Sequence, residues 1–169
     1  MATTAQVSLT DYLNTEYEPD CDYVDGALEE RHVGKGRHSR TQFLLALWFG
    51  NREKEFGLQG RTEQRFQVSP TRVRIPDICL LPESNRDEVL QSPPILWVEI
   101  LSPEDRWSRV QAKLDELIAF GVPAIWVIDP YANQAWIADK ASVRAVQDGV
   151  LRCANPKLEL ALADILPED

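Results

Sequence analysis

The sequence has no hydrophobic run of the length that a membrane-spanning helix needs, roughly 18 consecutive apolar residues. Residues 1–6 have neither the basic start nor the apolar stretch of a secretory signal peptide. Both absences favour a cytoplasmic protein that does not enter a membrane. Repeats, linkers and low-complexity tracts are also missing, and 169 residues, of which 44% are hydrophobic, suit one domain over residues 1–169.

Cysteines are few. Cys21, Cys79 and Cys153 are odd in number and far apart, and no CxxC pair is present to favour a zinc site or a redox couple. We therefore expect three plain thiols.

Positive charge is scarce overall, since 18 basic residues stand against 27 acidic ones and give a net charge of -9. This balance argues against indiscriminate binding to nucleic acid, which depends on Lys and Arg neutralising phosphates. Residues 31–80 depart from it, with ten basic and four acidic residues and a local balance of +6. Such a segment is typical of a phosphate-facing surface, or of a solvated helix face followed by an exposed edge strand.

Capping and turn residues predict the first elements of the chain. Ser8 with Asp11 resembles a capping box, which opens a short helix through about Asn14. The pair Asp25-Gly26 predicts a hairpin turn, with a return strand from Ala27 towards Val33.

A longer helix is predicted from Ser39, a suitable N-cap, to about Phe56, with Gly57 ending it. Its apolar stripe comprises Phe43, Leu44, Leu47 and Trp48. The stripe indicates that this helix packs against another element.

Four runs of strand composition follow, at residues 64–68, 73–81, 95–101 and 125–128. Together they predict a sheet. Ser102 as N-cap and Pro103 at the first helical position predict a helix directly after the third run, and Gly121 ends it. The apolar stripe of that helix comprises Val110, Leu114, Leu117 and Ile118.

Strand, helix and strand over residues 95–128 form a βαβ unit, which implies two parallel strands covered by the helix. A terminal hairpin is predicted from residues 134–138 and 141–146, and a short closing helix within residues 158–166. The fold class is therefore α/β or mixed α+β, with five tryptophans that serve mainly as core.

Two acids interrupt the apolar strand runs. Asp77 and Glu99 each lie inside a stretch that should be mostly buried, where an ionised carboxylate costs several kcal/mol without a partner. A single such acid is commonly an exposed strand end or a cap. Two acids on consecutive strands are able to lie about 4.8 Å apart and share one hard cation with oxygen ligands.

Lys113 is a third member of this set. It lies on the flank of the apolar stripe of the helix that follows Glu99, ten residues beyond Pro103. Helical side chains lean towards the N-terminus, so a lysine there is able to reach back to Glu99. An exposed lysine is the alternative for such a position.

These motifs resemble the Uma family of restriction-endonuclease-like proteins, which is common in cyanobacteria. The resemblance covers most of the chain and rests on residues 22–28 (DYVDGAL), His38, residues 76–77 (PD), 98–103 (VEILSP), Lys113, 121–123 (GVP) and 126–130 (WVIDP). It implies the PD-(D/E)xK nuclease core, a central mixed sheet flanked by helices with an N-terminal hairpin. The sequence departs from the wider superfamily at Leu101, where a lysine usually stands, so the resemblance implies a catalytic lysine displaced to Lys113.

The resemblance implies a metal-dependent endonuclease that hydrolyses phosphodiester bonds of DNA, or RNA as the alternative substrate. Asp77, Glu99 and the carbonyl of Ile100 would bind Mg²⁺, or Mn²⁺ in its place, and Lys113 would orient the attacking water or stabilise the transition state. A homodimer is also implied.

Arg37, His38 and Arg40 are candidates for contacts with the phosphate backbone, and a helix-start hydrogen bond or a catalytic role is the alternative for His38. A catalytically inactive nucleic-acid-binding or protein-interaction domain that retains the nuclease fold is the alternative function, because fold alone does not establish function. An enzyme acting on another phosphate ester is a third.

Overall fold

The computed structural model describes residues 6–32 and 34–167, which form a mixed α+β fold. The described ranges contain four α-helices: α1 (Leu9–Leu13), α2 (Gly36–Gly50), α3 (Glu53–Phe56) and α4 (Trp107–Phe120). Their strands are β1 (Cys21–Val24), β2 (Ala27–Glu30), β3 (Leu58–Thr62), β4 (Phe66–Ser69), β5 (Arg72–Arg74), β6 (Ile78–Pro82), β7 (Leu96–Ile100), β8 (Ile125–Asp129), β9 (Gln134–Ala138), β10 (Val143–Ala145), β11 (Val150–Cys153) and β12 (Leu158–Ala161). No helix in those ranges is both long and apolar enough to cross a membrane.

A six-stranded mixed sheet lies at the centre of the fold, in the order β10-β9-β8-β7-β6-β3. Its neighbours are antiparallel except β7 and β8, which run parallel and are joined through α4. This is the predicted βαβ unit. The predicted central mixed sheet is confirmed, and α2 and α4 contribute to the cores on its two faces.

Side chains alternate between the two faces of this sheet, and each face carries its own hydrophobic core. Along β7, Val98 belongs to the core that contains Leu45 of α2, whereas Trp97 belongs to the core that contains Leu114 of α4. Glu99 follows Trp97 by two residues, so it faces the α4 side. The predicted core role of the tryptophans holds for Trp97, which is fully buried.

The predicted strand runs do not all join one sheet. A second, antiparallel sheet has the order β2-β1-β5-β4, so the run at 64–68 belongs to it. The single strand predicted at 73–81 is wrong, since it divides into β5 and β6 and the chain passes from one sheet to the other at residues 75–77. Pro76 has no N–H to donate to a sheet ladder. The polar strand β3, which composition does not predict, pairs with β6.

The N-terminal elements follow their local signals. Ser8 caps α1 by accepting a hydrogen bond from the N–H of Asp11 at 3.0 Å, as predicted. The hairpin β1–β2 turns at Asp25 and Gly26, both with positive φ (50° and 94°), which is the backbone that a tight hairpin of this kind requires. The return strand ends at Glu30, and Val33 lies outside the described residues.

The long helix predicted from Ser39 to Phe56 is wrong at its start and in its continuity. Its N-cap is Lys35, four residues before Ser39, so the helix begins at Gly36, and it ends at Gly50. A break at residues 51–52 separates it from α3, which ends at Gly57 as predicted, with φ of 63°.

The predicted apolar stripe of α2 is half right: Leu44 and Trp48 are partly buried against the core, but Phe43 and Leu47 are 56% and 50% exposed. The buried positions on α2 are His38, Thr41, Leu45 and Phe49. Residues 43–49 are apolar without interruption, so periodicity within them does not distinguish the buried face.

The helix after β7 does not begin at Ser102, contrary to prediction. Asp105 accepts a hydrogen bond from the Ser102 N–H at 2.7 Å and donates its own N–H to the Ser102 carbonyl at 3.0 Å. These bonds close a turn, and α4 begins at Trp107 after an extended Arg106. The predicted end at Gly121 is confirmed, with φ of 103°.

The C-terminal part confirms the remaining expectations. β9 and β10 form the predicted terminal hairpin, β11 and β12 form a separate pair, and a 3-10 turn at Leu162–Asp164 closes the described chain.

Cys21, Cys79 and Cys153 are buried free thiols, as expected. Burial raises the pKa of Cys79 to about 12, which makes its thiol unreactive in neutral solution.

Candidate active site

A cavity of about 210 Å³ opens where the start of β6, the end of β7, α4 and the β1–β2 hairpin approach one another. Charged and polar side chains in its lining include Asp22, Arg31, His38, Asp77, Glu99 and Lys113. The structure therefore brings together the two predicted metal-binding acids and the predicted catalytic lysine.

Asp77 and Glu99 lie side by side on neighbouring chain segments. β6 and β7 pair with Ile78 opposite Val98, so the preceding Asp77 lies opposite Glu99. The Asp77 N–H donates to the carbonyl of Val98 at 3.1 Å, which extends the pairing to this position. Glu99 is thus delivered by β7, and Asp77 by the residue directly before β6, which continues the pairing of the two strands.

The Asp77 carboxylate is buried, with 3% of the residue exposed, and both of its oxygens have partners. Oδ2 accepts a hydrogen bond from the Ile100 N–H at 2.6 Å. Oδ1 lies 3.0 Å from the Arg31 guanidinium and 3.4 Å from Nε2 of His38. Burial would raise the pKa of Asp77, but the hydrogen bond from His38 and the charge of Arg31 outweigh it and hold the pKa below its usual value.

Glu99 has different surroundings. Its Oε1 accepts from Nζ of Lys113 at 2.7 Å and from the indole N–H of Trp97 at 2.5 Å. Burial raises the pKa of Glu99, and although Lys113 opposes this, the negative charge of Asp77 adds to it, so the pKa lies above its usual value. Two acids in one small space are expected to show such opposite shifts.

Lys113 reaches Glu99 from α4, over the face of the sheet that carries Trp97. Its Nζ also lies 3.6 Å from Oδ2 of Asp22 and 5.9 Å from the centroid of the Trp97 ring. Burial lowers the pKa of Lys113, but the charges of Asp22 and Glu99 outweigh it and raise the pKa, so the side chain is an ammonium group. The contact with Glu99 that helix geometry predicts is present.

The three residues predicted to contact phosphates point in different directions on α2. His38 is 6% exposed and lines the cavity beside Asp77. Arg37 is half-buried and donates to the carbonyl of Pro130 at 3.1 Å. Arg40 is exposed, with its guanidinium 5.3 Å from the centroid of the Phe43 ring. Only His38 of the three is among the described residues that line the cavity.

Several charged residues that line the cavity are not identified from the sequence as site residues, and two of them pair with the predicted ones. Arg31, directly after β2, pairs with both Asp77 and Glu63. Asp22, on β1, pairs with Lys113 and with Arg74. Asp22 belongs to the hairpin motif, so the motif itself is a signal, but alternation along a strand does not say which face of the hairpin turns towards the central sheet.

The basic segment at residues 31–80 is engaged largely with the chain's own acids. At least five of its ten basic residues form salt bridges: Arg31, Lys35, Arg65, Arg72 and Arg74. Much of this charge therefore balances carboxylates within the chain, and the segment's composition does not by itself provide a phosphate-facing surface.

The donor set fits a hard divalent cation such as Mg²⁺. Mg²⁺ commonly takes one or two carboxylates and keeps several waters, and Asp77 and Glu99 supply two adjacent carboxylates. The part of the chain that the structure describes contains no group of three or more His, Cys, Asp or Glu side chains arranged to hold a metal ion. A cation on this pair would thus complete its shell with a carbonyl, water or substrate oxygens, and would compete with Arg31 and His38 for Oδ1 of Asp77.

Comparison with known proteins identifies the fold from a solved structure and the family from the sequence. A crystal structure of a putative nuclease belonging to DUF820 from Anabaena variabilis has the same fold, with a TM-score of 0.82, 19% identity, and coverage of 95% of this chain and 97% of that chain. No curated protein matches the chain. The model of the Uma2 family, described as putative restriction endonuclease, matches residues 9–163. Because that match spans most of the sequence, the protein belongs to the Uma2 family, as its motifs predict.

Proposed function

We propose that the chain is a Mg²⁺-dependent endonuclease that hydrolyses phosphodiester bonds of DNA, with Mn²⁺ as a substitute metal. The observation that carries the proposal is the meeting of Asp77, Glu99 and Lys113 in one cavity, from three different segments of the chain. Two adjacent carboxylates and an ammonium group are suited to metal-assisted hydrolysis of a phosphodiester. Membership of the Uma2 family supports the same reaction class.

In this proposal Asp77, Glu99 and the carbonyl of Ile100 hold the cation, which when bound lowers the pKa of a coordinated water and polarises a phosphate oxygen. Asp77 supplies a permanent negative charge, because its pKa is lowered and the Ile100 N–H fixes its orientation. Lys113, held as an ammonium group, stabilises the charge that develops on the phosphate or orients the attacking water.

Contacts with the DNA backbone are proposed for Arg37 and Arg40, which would position the substrate without reading its sequence. For His38 we propose instead a role in orienting Asp77. The burial of His38 and the 3.4 Å separation of its Nε2 from Oδ1 of Asp77 support that role.

A noncatalytic nucleic-acid-binding or protein-interaction domain is the competing function. One observation favours it: Arg31 and His38 already balance the charge of Asp77, so this carboxylate is accommodated without a metal ion. The two functions differ in what they require of Asp77, since only the nuclease needs it for metal binding and cleavage.

The deciding experiment compares the wild type with Asp77→Asn and Asp148→Asn in nicking of supercoiled plasmid at low salt with Mg²⁺ or Mn²⁺. Asparagine keeps the size of the side chain and removes its charge. Asp148 is a matched control, because its side chain is 55% exposed and pairs with Arg152 outside the cavity. Calorimetric titration with Mg²⁺ and thermal melting accompany the assay.

We expect Asp77→Asn to lose metal binding and at least about 10²-fold in cleavage while remaining folded, and Asp148→Asn to behave as the wild type. Equal cleavage by wild type and Asp77→Asn would reject this site. A folded wild type that binds no divalent cation and cleaves no DNA would favour the noncatalytic domain, and faster cleavage of small phosphodiesters than of DNA would change the substrate class.

A further inference from the structure

The ammonium group of Lys113 lies between two buried or half-buried acids that come from different sheets. Glu99 on β7 of the central sheet is 2.7 Å away, and Asp22 on β1 of the second sheet is 3.6 Å away. A long, flexible lysine side chain has three donors and many rotamers, so its position depends on such partners. Lys113 is thus fixed from both sides of the cavity.

Asp22 is itself held rigidly. It is 5% exposed, its Oδ1 accepts from the Ile75 N–H at 3.0 Å, and its Oδ2 accepts from Arg74 at 3.1 Å. Ile75 lies in the segment that leads directly into Asp77. The backbone that delivers one metal-binding acid therefore also orients the partner of Lys113.

Arg74 links Asp22 to helix α4. Its guanidinium donates to Oε2 of Glu116 at 2.8 and 3.0 Å, and it is 8% exposed. Glu116 and Lys113 are three residues apart on α4, so they lie on the same face of the helix. Asp22 and Arg74 together hold this helix face at two neighbouring points.

We propose that Asp22 is a positioning residue of the active site, which fixes the Lys113 ammonium group beside Glu99 and makes the N-terminal hairpin part of the catalytic unit. The catalytic consequence of this inference rests on the proposed nuclease function, whereas the positioning itself does not. Asp22 is not a metal ligand in this assignment, because its two oxygens face the Ile75 N–H, Arg74 and Lys113.

The test uses Asp22→Asn, which keeps the side-chain shape and removes the charge. Asp25→Asn is the matched control, because it makes the same change three residues away, at an exposed turn position where Asp25 pairs with Arg72. Glu116→Gln is the second variant, to be used if Asp22→Asn does not fold. It weakens the salt bridge between Glu116 and Arg74, and Arg74 is the residue that orients Asp22. Thermal melting establishes that each variant is folded.

Four quantities are measured on each full-length variant: the acylation rate of Lys113 relative to exposed Lys54 by mass spectrometry, the calorimetric affinity for Mg²⁺, and kcat and KM for plasmid nicking. We expect Asp22→Asn to raise the relative acylation of Lys113 about threefold or more, because the ammonium group loses one of two restraining charges. We expect kcat to fall about tenfold or more with KM and Mg²⁺ affinity nearly unchanged. Glu116→Gln should also raise the acylation of Lys113 and lower kcat, but by smaller factors.

Unchanged acylation of Lys113 in a folded Asp22→Asn chain would overturn the positioning role, even with the nuclease confirmed. A loss of Mg²⁺ binding as complete as that of Asp77→Asn would make Asp22 a metal ligand and would overturn it too. A wild type without metal binding or cleavage would reject the proposed function alone, and the acylation comparison would still decide the role of Asp22.

Discussion

At the scale of single residues, the two strand carboxylates differ in what surrounds them. Asp77 accepts a backbone N–H and faces Arg31 and His38, so its pKa is lowered. Glu99 is held mainly by Lys113 and has a raised pKa. Environments that push the pKa values of neighbouring acids apart are typical of sites where each acid has its own task. The 2.7 Å contact with Glu99 therefore makes the ammonium group of Lys113 a structural partner of that acid as well as a catalytic candidate.

Replacement of Lys113 by methionine tests the catalytic role. Methionine is close in length and apolar, so it keeps most of the packing and removes the charge. We expect cleavage to fall about 10²- to 10³-fold, because charge stabilisation in the transition state is lost, while Mg²⁺ still binds because both carboxylates remain. Plasmid nicking and calorimetry measure the two effects. Lys140→Met, at an exposed turn, is the control, and cleavage by Lys113→Met within about twofold of that control would refute the assignment.

The three residues on which the nuclease proposal rests are predictable because each carries a local signal. An acid inside an apolar strand needs a partner to offset several kcal/mol, which singles out Asp77 and Glu99. The reach of a helical lysine towards the N-terminus singles out Lys113. Arg31 carries no such signal, since it is one of ten basic residues in its segment and only the docking of the hairpin turns it towards Asp77.

At the scale of elements, the glycine helix ends and the buried face of α4 are predicted correctly, whereas the starts of α2 and α4 and part of the buried face of α2 are not. Gly121 ends α4 because it adopts a positive φ, which glycine takes without strain. The start of α4 is displaced because Asp105 bonds back to Ser102, a side chain to backbone contact that competes with the helix. The buried face of α2 depends on which side the central sheet occupies, and that is decided by residues far away in the sequence.

The corrected face of α2 predicts a contrast between two leucines two positions apart. Leu45 is fully buried in the core on the α2 side, whereas Leu47 is 50% exposed. We expect Leu45→Ala to lower the free energy of unfolding by about 2–5 kcal/mol, because it leaves a cavity. Leu47→Ala should change it by about 0.5 kcal/mol or less. Urea denaturation of both variants measures this, and a loss from Leu47→Ala equal to or larger than that from Leu45→Ala would contradict the buried face assigned to α2.

At the scale of the whole molecule, the distribution of charge bears on how a nuclease of this kind meets DNA. The chain carries a net charge of -9, and salt bridges engage at least Arg31, Lys35, Arg65, Arg72 and Arg74 of its basic segment. Acids also lie at the cavity, where Glu29 and Glu30 are among the lining residues. Long-range attraction of a polyanion by one copy of this chain should therefore be weak. A homodimer stays a prediction, and a second copy would change this balance.

This charge distribution predicts a shallow salt dependence of DNA binding. Each phosphate neutralised by a basic side chain contributes about 0.9 to the slope of log K against log salt, so a chain with few available cations should give a slope no steeper than about -3. Fluorescence anisotropy of a labelled duplex from about 20 to 200 mM salt measures it, with EDTA present so that metal-dependent cleavage is prevented.

Arg40→Gln, on the exposed side of α2, should make the slope shallower by about 1 if Arg40 contacts a phosphate, whereas Arg86→Gln serves as an exposed control. A slope of about -6 or steeper would contradict weak electrostatic binding and would require a phosphate surface larger than one chain presents, as two copies would form.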